Sequence, residues 1–291
     1  MSIDVLQEKV RKLKNPSMVD LALNLADLPP HLLSEEGSRA KAYGRFCREL
    51  IAGLKDIVPA VRVSFTPFVL LGPEGLGELT GVLRAAAAAG LYVALEAPEI
   101  LSPMMASSVA QEVFGGSLWP CDGLIVNAYP GTDCIKPFLP YVKEGKKDIF
   151  AVPRTSNKSA PEIQDLLTGS RHVHTAAADL INRFGGESSG KFGYARVAVV
   201  AGGSSAESLR TLRNKYPRLF LLIDDIDYSN CNAKICANAF DKFGHGAAAC
   251  AGPTITCAWK LAESDGRDYL EQAAAAAERM KKNLARYTTI L

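Results

Sequence analysis

The sequence predicts a (β/α)8 barrel built from a single domain, residues 1–291, that opens with a helix. Three observations carry that expectation. Eight short, β-rich apolar runs each give way to a stretch with helical spacing, and no region of the chain is β-only. At 291 residues, with 48% hydrophobic and 22% charged content, the chain is long enough to bury one barrel-sized core. The first strand-like run leads into Leu21-Ala22-Leu23-Asn24, not into the GxGxxG turn by which an open doubly wound sheet, the competing architecture, holds a dinucleotide.

The elements follow in order. Ile3, Leu6, Val10 and Leu13 recur at helical spacing, and Asn15-Pro16 ends that helix before a first strand at 18–23. A long amphipathic helix at 37–54 precedes a second strand at 60–65, where Val61, Val63 and Phe65 alternate. Residues 76–89 form a helix with an alanine-rich tail, Gly90 supplies its left-handed cap, and 91–95 is the third strand. Leu124-Ile125-Val126 is the fourth, separated by the small-residue loop 128–132 from a helix at 135–143. The fifth strand lies at 148–152 and is followed by a long helix at 160–184, which a glycine and serine loop at 182–190 breaks. Strands at 197–201, 219–223 and 246–250 complete eight, with helices at 206–215, 232–243 and 269–287. The alanine tracts at 85–89 and 273–277 read as helix-packing surfaces.

Composition narrows the partners. A net charge of +2 arises from well-mixed signs, which argues against nucleic acid or an anionic membrane and for a small molecule or a second copy of the chain. The seven cysteines are an odd number without a Cys-x-x-Cys pair, so they read as reduced thiols, neither a disulfide frame nor a zinc site. No metal or cofactor is expected. The charged, amphipathic N-terminus lacks the apolar core of a signal peptide, no apolar run reaches membrane-spanning length, and the expected location is the cytoplasm.

In a barrel, ligands are met at the carboxyl ends of the strands. Those ends carry Arg62, Glu96, Asn127 with Tyr129, Arg154-Thr155-Ser156-Asn157, and Asp224-Asp225-Ile226-Asp227. Plainer readings stand beside each: Glu96 and Glu99 as polar loop residues before a helix start at Ser102-Pro103, Ser156 with Asn157 as a turn, and the aspartates as a solvated turn or, less often, a cation site. His172 and His174, two residues apart in or beside a helix, are expected on different faces, and His245 precedes the eighth strand, at the end away from catalysis.

The segment 123–138, GLIVNAYPGTDCIKPF, belongs with three others: Gly72-Pro73-Glu74-Gly75-Leu76, Thr155-Ser156-Asn157 and Glu162-Ile163-Gln164-Asp165. Together they resemble the bacterial orotidine 5'-phosphate decarboxylases, in which similar segments follow one another in this order over nearly the whole chain. The resemblance implies a (β/α)8 barrel, a nucleotide pocket contacted by Ser156, and a homodimer paired across the active-site face. In such a dimer the third-strand loop, with Leu101, Pro103, Met104 and Met105, would reach toward the partner.

The residues that do the family's chemistry are replaced. Its ribose-binding Gly-Leu-Asp-Pro corresponds to Asp20-Leu21-Ala22-Leu23, with alanine at the aspartate, and its second-strand lysine corresponds to Arg62. Its Asp-x-Lys-x-x-Asp motif falls on Glu96, Pro98 and Leu101, and no lysine occurs between Lys55 and Lys136 to rescue it. Its phosphate loop and late Ser-Ser-Arg-Gly correspond to residues 224–231 and to Ala251-Gly252-Pro253-Thr254. Three functions stay open at this point: a barrel that no longer decarboxylates and serves in binding or regulation, a lyase using a divalent cation held by Glu96 and the aspartates of 224–227, and an active decarboxylase of pyrimidine biosynthesis.

Overall fold

Eight parallel strands close on themselves in chain order: β1 (Ser17–Asp20), β2 (Ala60–Ser64), β3 (Tyr92–Glu96), β4 (Gly123–Asn127), β5 (Asp148–Arg154), β6 (Ala195–Gly202), β7 (Leu219–Asp224) and β8 (Ala247–Ala251), with β8 hydrogen-bonded back to β1. The computed structural model describes residues 2–96, 100–203, 205–224, 226 and 231–291. The predicted (β/α)8 barrel is the observed one, and each predicted strand falls on its barrel strand to within a few residues.

Alternation decides what faces the axis. Met18, Ala60, Tyr92, Ala94, Ile125, Phe150, Ala198, Val200, Phe220, Leu222, Ala248 and Cys250 form a core inside the barrel, while the other face of each strand packs on the surrounding helices. Tyr92, Phe150, Phe220 and Tyr194 run edge to face through the interior, with centroids 6.1 to 6.4 Å apart. Each such ring, removed from water, contributes about 1.5–3 kcal/mol. Helix α1 (Ile3–Leu13) plugs the amino end, because Ile3, Leu6 and Val10 share one face and join that inner core. It stops where Lys14 turns left-handed and Asn15 Oδ1 accepts from the Ser17 amide and hydroxyl.

Three helix expectations need correction. The segment 135–143 is a single 3-10 turn, Lys136–Phe138, and a short helix, Leu139–Lys143, preceded by another 3-10 turn at Thr132–Cys134, because Pro137 and Pro140 withhold amide donors. The long helix at 160–184 is instead a turn at Ala160–Glu162, an antiparallel hairpin pairing Leu167–Thr168 with Arg171–His172, and a helix at Val173–Gly185. Gly169, at φ +64°, makes the reversal that a helix forbids. The helix at 232–243 shrinks to Ala233–Cys236 and a 3-10 turn, since the Asn238 amide donates to the carbonyls of Lys234 and Ile235. Among the described residues the helices Pro30–Glu36, Phe65–Val69, Pro253–Thr256 and Ala258–Leu261 were not foreseen; Gly37 at φ +66° separates the first from Arg39–Leu54. Gly90 has the left-handed conformation expected of it, φ +74°.

Candidate functional site

The strand register brings charge together at the carboxyl end. Asp20 stands opposite Arg62 in the β1–β2 ladder and Ser64 opposite Glu96 in the β2–β3 ladder, so these inward positions of three neighbouring strands fall on two adjacent levels. Arg62, only 8% exposed, gathers three carboxylates from three strands: Nη1 to Asp224 Oδ1 at 2.6 Å, Nη2 to Glu96 Oε2 at 3.3 Å, and Nε facing Asp20 Oδ2 at 3.8 Å. The Ser64 hydroxyl donates to the same Glu96 oxygen at 2.5 Å, and the Ala22 amide donates to Asp20. Burial pushes the Asp20 carboxyl up to about 6; Arg62 opposes that rise, while Asp224 and Glu96 add to it. Burial likewise pushes the Cys250 thiol up, with Asp20 adding to the rise and Arg62 opposing it.

Arg62, Glu96 and Asp224 are therefore the sequence-derived candidates that meet. Asp20, Ser64 and Cys250 join them unforeseen. Asp20 lies two residues before Ala22, at the last position of β1, and its carboxylate accepts from the Ala22 amide. Asp20, Asp224 and Cys250 each bring one ligand atom within 4.8 Å of the others, an arrangement that superficially suits a cation. A divalent ion fits this set poorly, because the Arg62 guanidinium already lies against Asp224 and would repel it.

The remaining candidates stand apart from Arg62. Asn127 is exposed at the end of β4, where its side chain accepts from the Tyr129 amide at 2.9 Å, and the Tyr129 hydroxyl donates to the Pro153 carbonyl. Arg154 is clamped in a two-point pair with Asp165, at 2.8 and 2.9 Å. Ser156 is half-buried against Gly202, and Asn157 is exposed and accepts from the Thr155 hydroxyl. Leu101 is 68% exposed. Pro98, Glu99, Asp225 and Asp227 lie outside the described residues. Two clefts open here: one of about 590 Å³ bordered by Ser64, Glu96, Asn24 and Arg39, and one of about 380 Å³ bordered by Arg154, His172, His174 and Lys215. The first touches the Arg62 cluster through Glu96 and is the one that matters for its chemistry.

The histidine expectation is corrected in part. His172 belongs to the hairpin and not to the helix, so its ring stacks on that of His174 at 5.2 Å, each Nδ1 donating to a carbonyl, of Asp165 and Gln164 respectively. His245 is at the amino end as predicted, its ring bonded to the Leu291 carbonyl.

No family model matches the chain. Relatives do. The chain is 27% identical over 285 residues to the orotidine 5'-phosphate decarboxylase of Clostridium novyi, covering 98% of each, and 28% identical over 256 residues to that of Rhodopirellula baltica, covering 85% of each. The solved structure of Leishmania donovani OMP decarboxylase superposes with a TM-score of 0.72 at 22% identity, over 97% of this chain and 100% of that one, which supports the fold. The chain is thus similar, nearly end to end, to curated orotidine 5'-phosphate decarboxylases, on the barrel that its own strands close.

Proposed function

We propose that this chain is a decarboxylase-family barrel that no longer decarboxylates orotidine 5'-phosphate and acts as a ligand-binding or regulatory relative. The observation that carries the reading is Arg62. At the place of the family's second-strand lysine stands an arginine, a fixed cation that cannot serve as a proton donor, and its charge is taken up by Asp20, Glu96 and Asp224. Decarboxylation needs a group that stabilises the developing carbanion and then protonates it. By the family alignment that position is Pro98, with Leu101 at the adjoining carboxylate.

Binding fails for a separate reason. Asp224 occupies the start of the family's phosphate loop, and Pro253 falls where the late arginine would be. Charges of like sign about 4 Å apart repel by ~1 kcal/mol at water's dielectric and by ~4 kcal/mol in a partly buried site. A phosphate monoester would meet that repulsion without the charge-assisted contacts, on the order of 1.5–3 kcal/mol each, that normally offset it.

A cytoplasmic location and a homodimer belong to the same reading. The first is supported by seven cysteines with no disulfide among them, and by the finding that, among the described residues, no helix is long and apolar enough to cross a membrane. The second is supported by the exposed Leu101, Met104 and Met105 around the helix Pro103–Val109. The competing reading, an active decarboxylase like its named relatives, is decided by assay. Purified protein at high concentration, given orotidine 5'-phosphate, should release carbon dioxide at the uncatalysed rate; turnover clearly above that rate would overturn the proposal.

A further inference from the structure

A sequence scan for Cys-x-x-Cys passes over a pair spaced five apart. Cys231 Sγ and Cys236 Sγ lie 3.3 Å from each other, and both residues are buried. Each is fixed by backbone. Cys231 pairs with Ile226 in an isolated parallel bridge, and Ile226 is tied by its amide to the Cys250 carbonyl at 3.1 Å. Cys236 sits in the first turn of Ala233–Cys236, where its amide donates to the Asn232 carbonyl at 2.9 Å and Asn232 caps the helix through the Ile235 amide. The sulfurs are therefore held in contact by two separately anchored stretches.

We propose that Cys231 and Cys236 form a reversible dithiol–disulfide couple beside the mouth of the barrel. A disulfide bond of about 2.05 Å requires the sulfurs to close by a little over 1 Å, within reach of small side-chain rotations. The oxidant class is a small disulfide such as glutathione disulfide. One cysteine thiolate attacks it, breaking its S–S bond and releasing one glutathione; the second cysteine thiolate then attacks the mixed disulfide and releases the other. Two electrons pass to the oxidant, and the two thiol protons end on two glutathione molecules.

The location gives the couple its meaning. A Cβ built on Gly203 would fall 2.1 Å from Cys231 Sγ and 3.0 Å from the Asp224 carbonyl, so the end of β6, Cys231 and the end of β7 converge. Asp224 is the residue that holds Arg62 at 2.6 Å. Closing the disulfide joins the stretch after β7 to the helix that follows, next to that ion pair.

Burial slows exchange without changing its end point, so the test is an equilibrium one. The intact protein is held in glutathione buffers of graded oxidised-to-reduced ratio until its state is constant, alkylated and digested. Cleavage at Lys234 separates the two cysteines, so a bridge appears as two linked peptides lacking two hydrogen masses. The expected product is the Cys231–Cys236 bridge, outnumbering glutathione adducts at either residue by at least about tenfold, with the other five cysteines alkylated. Cys231→Ser and, independently, Cys236→Ser should abolish the bridge and leave the alkylation of Cys250 as before. Both residues alkylated under the most oxidising buffer, or glutathione adducts in place of the bridge, would overturn the proposal.

Discussion

At the amino end of the barrel Arg196 pairs with Asp4 at 2.8 Å and faces Asp148 at 3.6 Å; at the carboxyl end Arg62 sits among Asp20, Glu96 and Asp224. Both are buried guanidinium–carboxylate clusters on strand ends. They differ in what covers them. Helix α1 supplies Asp4 and seals the amino end, where Asp148 is fully buried and accepts from the Tyr92 hydroxyl at 2.8 Å. Gly123 makes room for that contact, since a Cβ there would lie 2.6 Å from the Tyr92 oxygen. Among the described residues no helix covers the carboxyl end in that way: the Glu96 side chain is 41% exposed and borders the cleft of about 590 Å³. A sealed cluster is withdrawn from ligands, while a cluster that borders a cleft presents its excess of carboxylates toward solvent.

The first way to break this comparison is to remove each arginine. Arg196→Met leaves two buried carboxylates without their cation and should cost about 3–5 kcal/mol, whereas Arg62→Met leaves carboxylates nearer to solvent and should cost about 1–2 kcal/mol. Urea unfolding of both variants measures the difference; equal losses would mean that the mouth is as sealed as the floor.

The second uses pH. Burial raises the Asp148 carboxyl to about 7, with the Tyr92 hydrogen bond and Arg196 opposing the rise, and Asp20 stands at about 6. A carboxyl raised on folding keeps its proton in the folded state after the unfolded chain has lost it, so the stability it confers is present below the ordinary carboxylate pKa. That stability is lost as pH rises through the folded value. Stability should therefore fall between about pH 4 and 7, on the order of 4 kcal/mol from Asp148 and 3 kcal/mol from Asp20. Asp148→Asn should remove the part of the fall that extends to pH 7 and leave the part that ends near pH 6, and Asp20→Asn should do the reverse. A wild-type profile that rises over this range would contradict the assignment.

The smallest effect concerns the rim. Met104, 74% exposed, and Met105, 49% exposed, stand on the helix Pro103–Val109 that follows β3. Sedimentation should find a dimer at micromolar concentration, and Met104→Lys with Met105→Glu should give a monomer whose unfolding changes by less than about 0.5 kcal/mol. A monomeric wild type would remove the dimer from the account.

The two ends were not equally legible in the sequence. Every barrel strand announced itself as a short apolar run, and the carboxyl-end rule led from those runs to Arg62, Glu96 and Asp224. Asp20 carried no signal of its own, because the family resemblance sets its aspartate at Ala22, two residues beyond the end of β1. The hairpin at 167–172 escaped because the spacing of apolar residues continues across it, and only the backbone freedom of Gly169 reverses the chain there. Asp4, Asp148 and Arg196 carried no local signal, since Asp4 and Arg196 meet only after the barrel has closed and its first helix has docked.

The account turns on Arg62 being satisfied from within, so that the mouth of this barrel does not take the phosphate its relatives' substrate carries. Calorimetric titration of the protein with uridine 5'-phosphate tests this most directly. Weaker than millimolar binding is expected, and no tighter in Arg62→Met, because the guanidinium is not available to the anion in either protein. Micromolar binding that is lost in Arg62→Met would contradict the central claim.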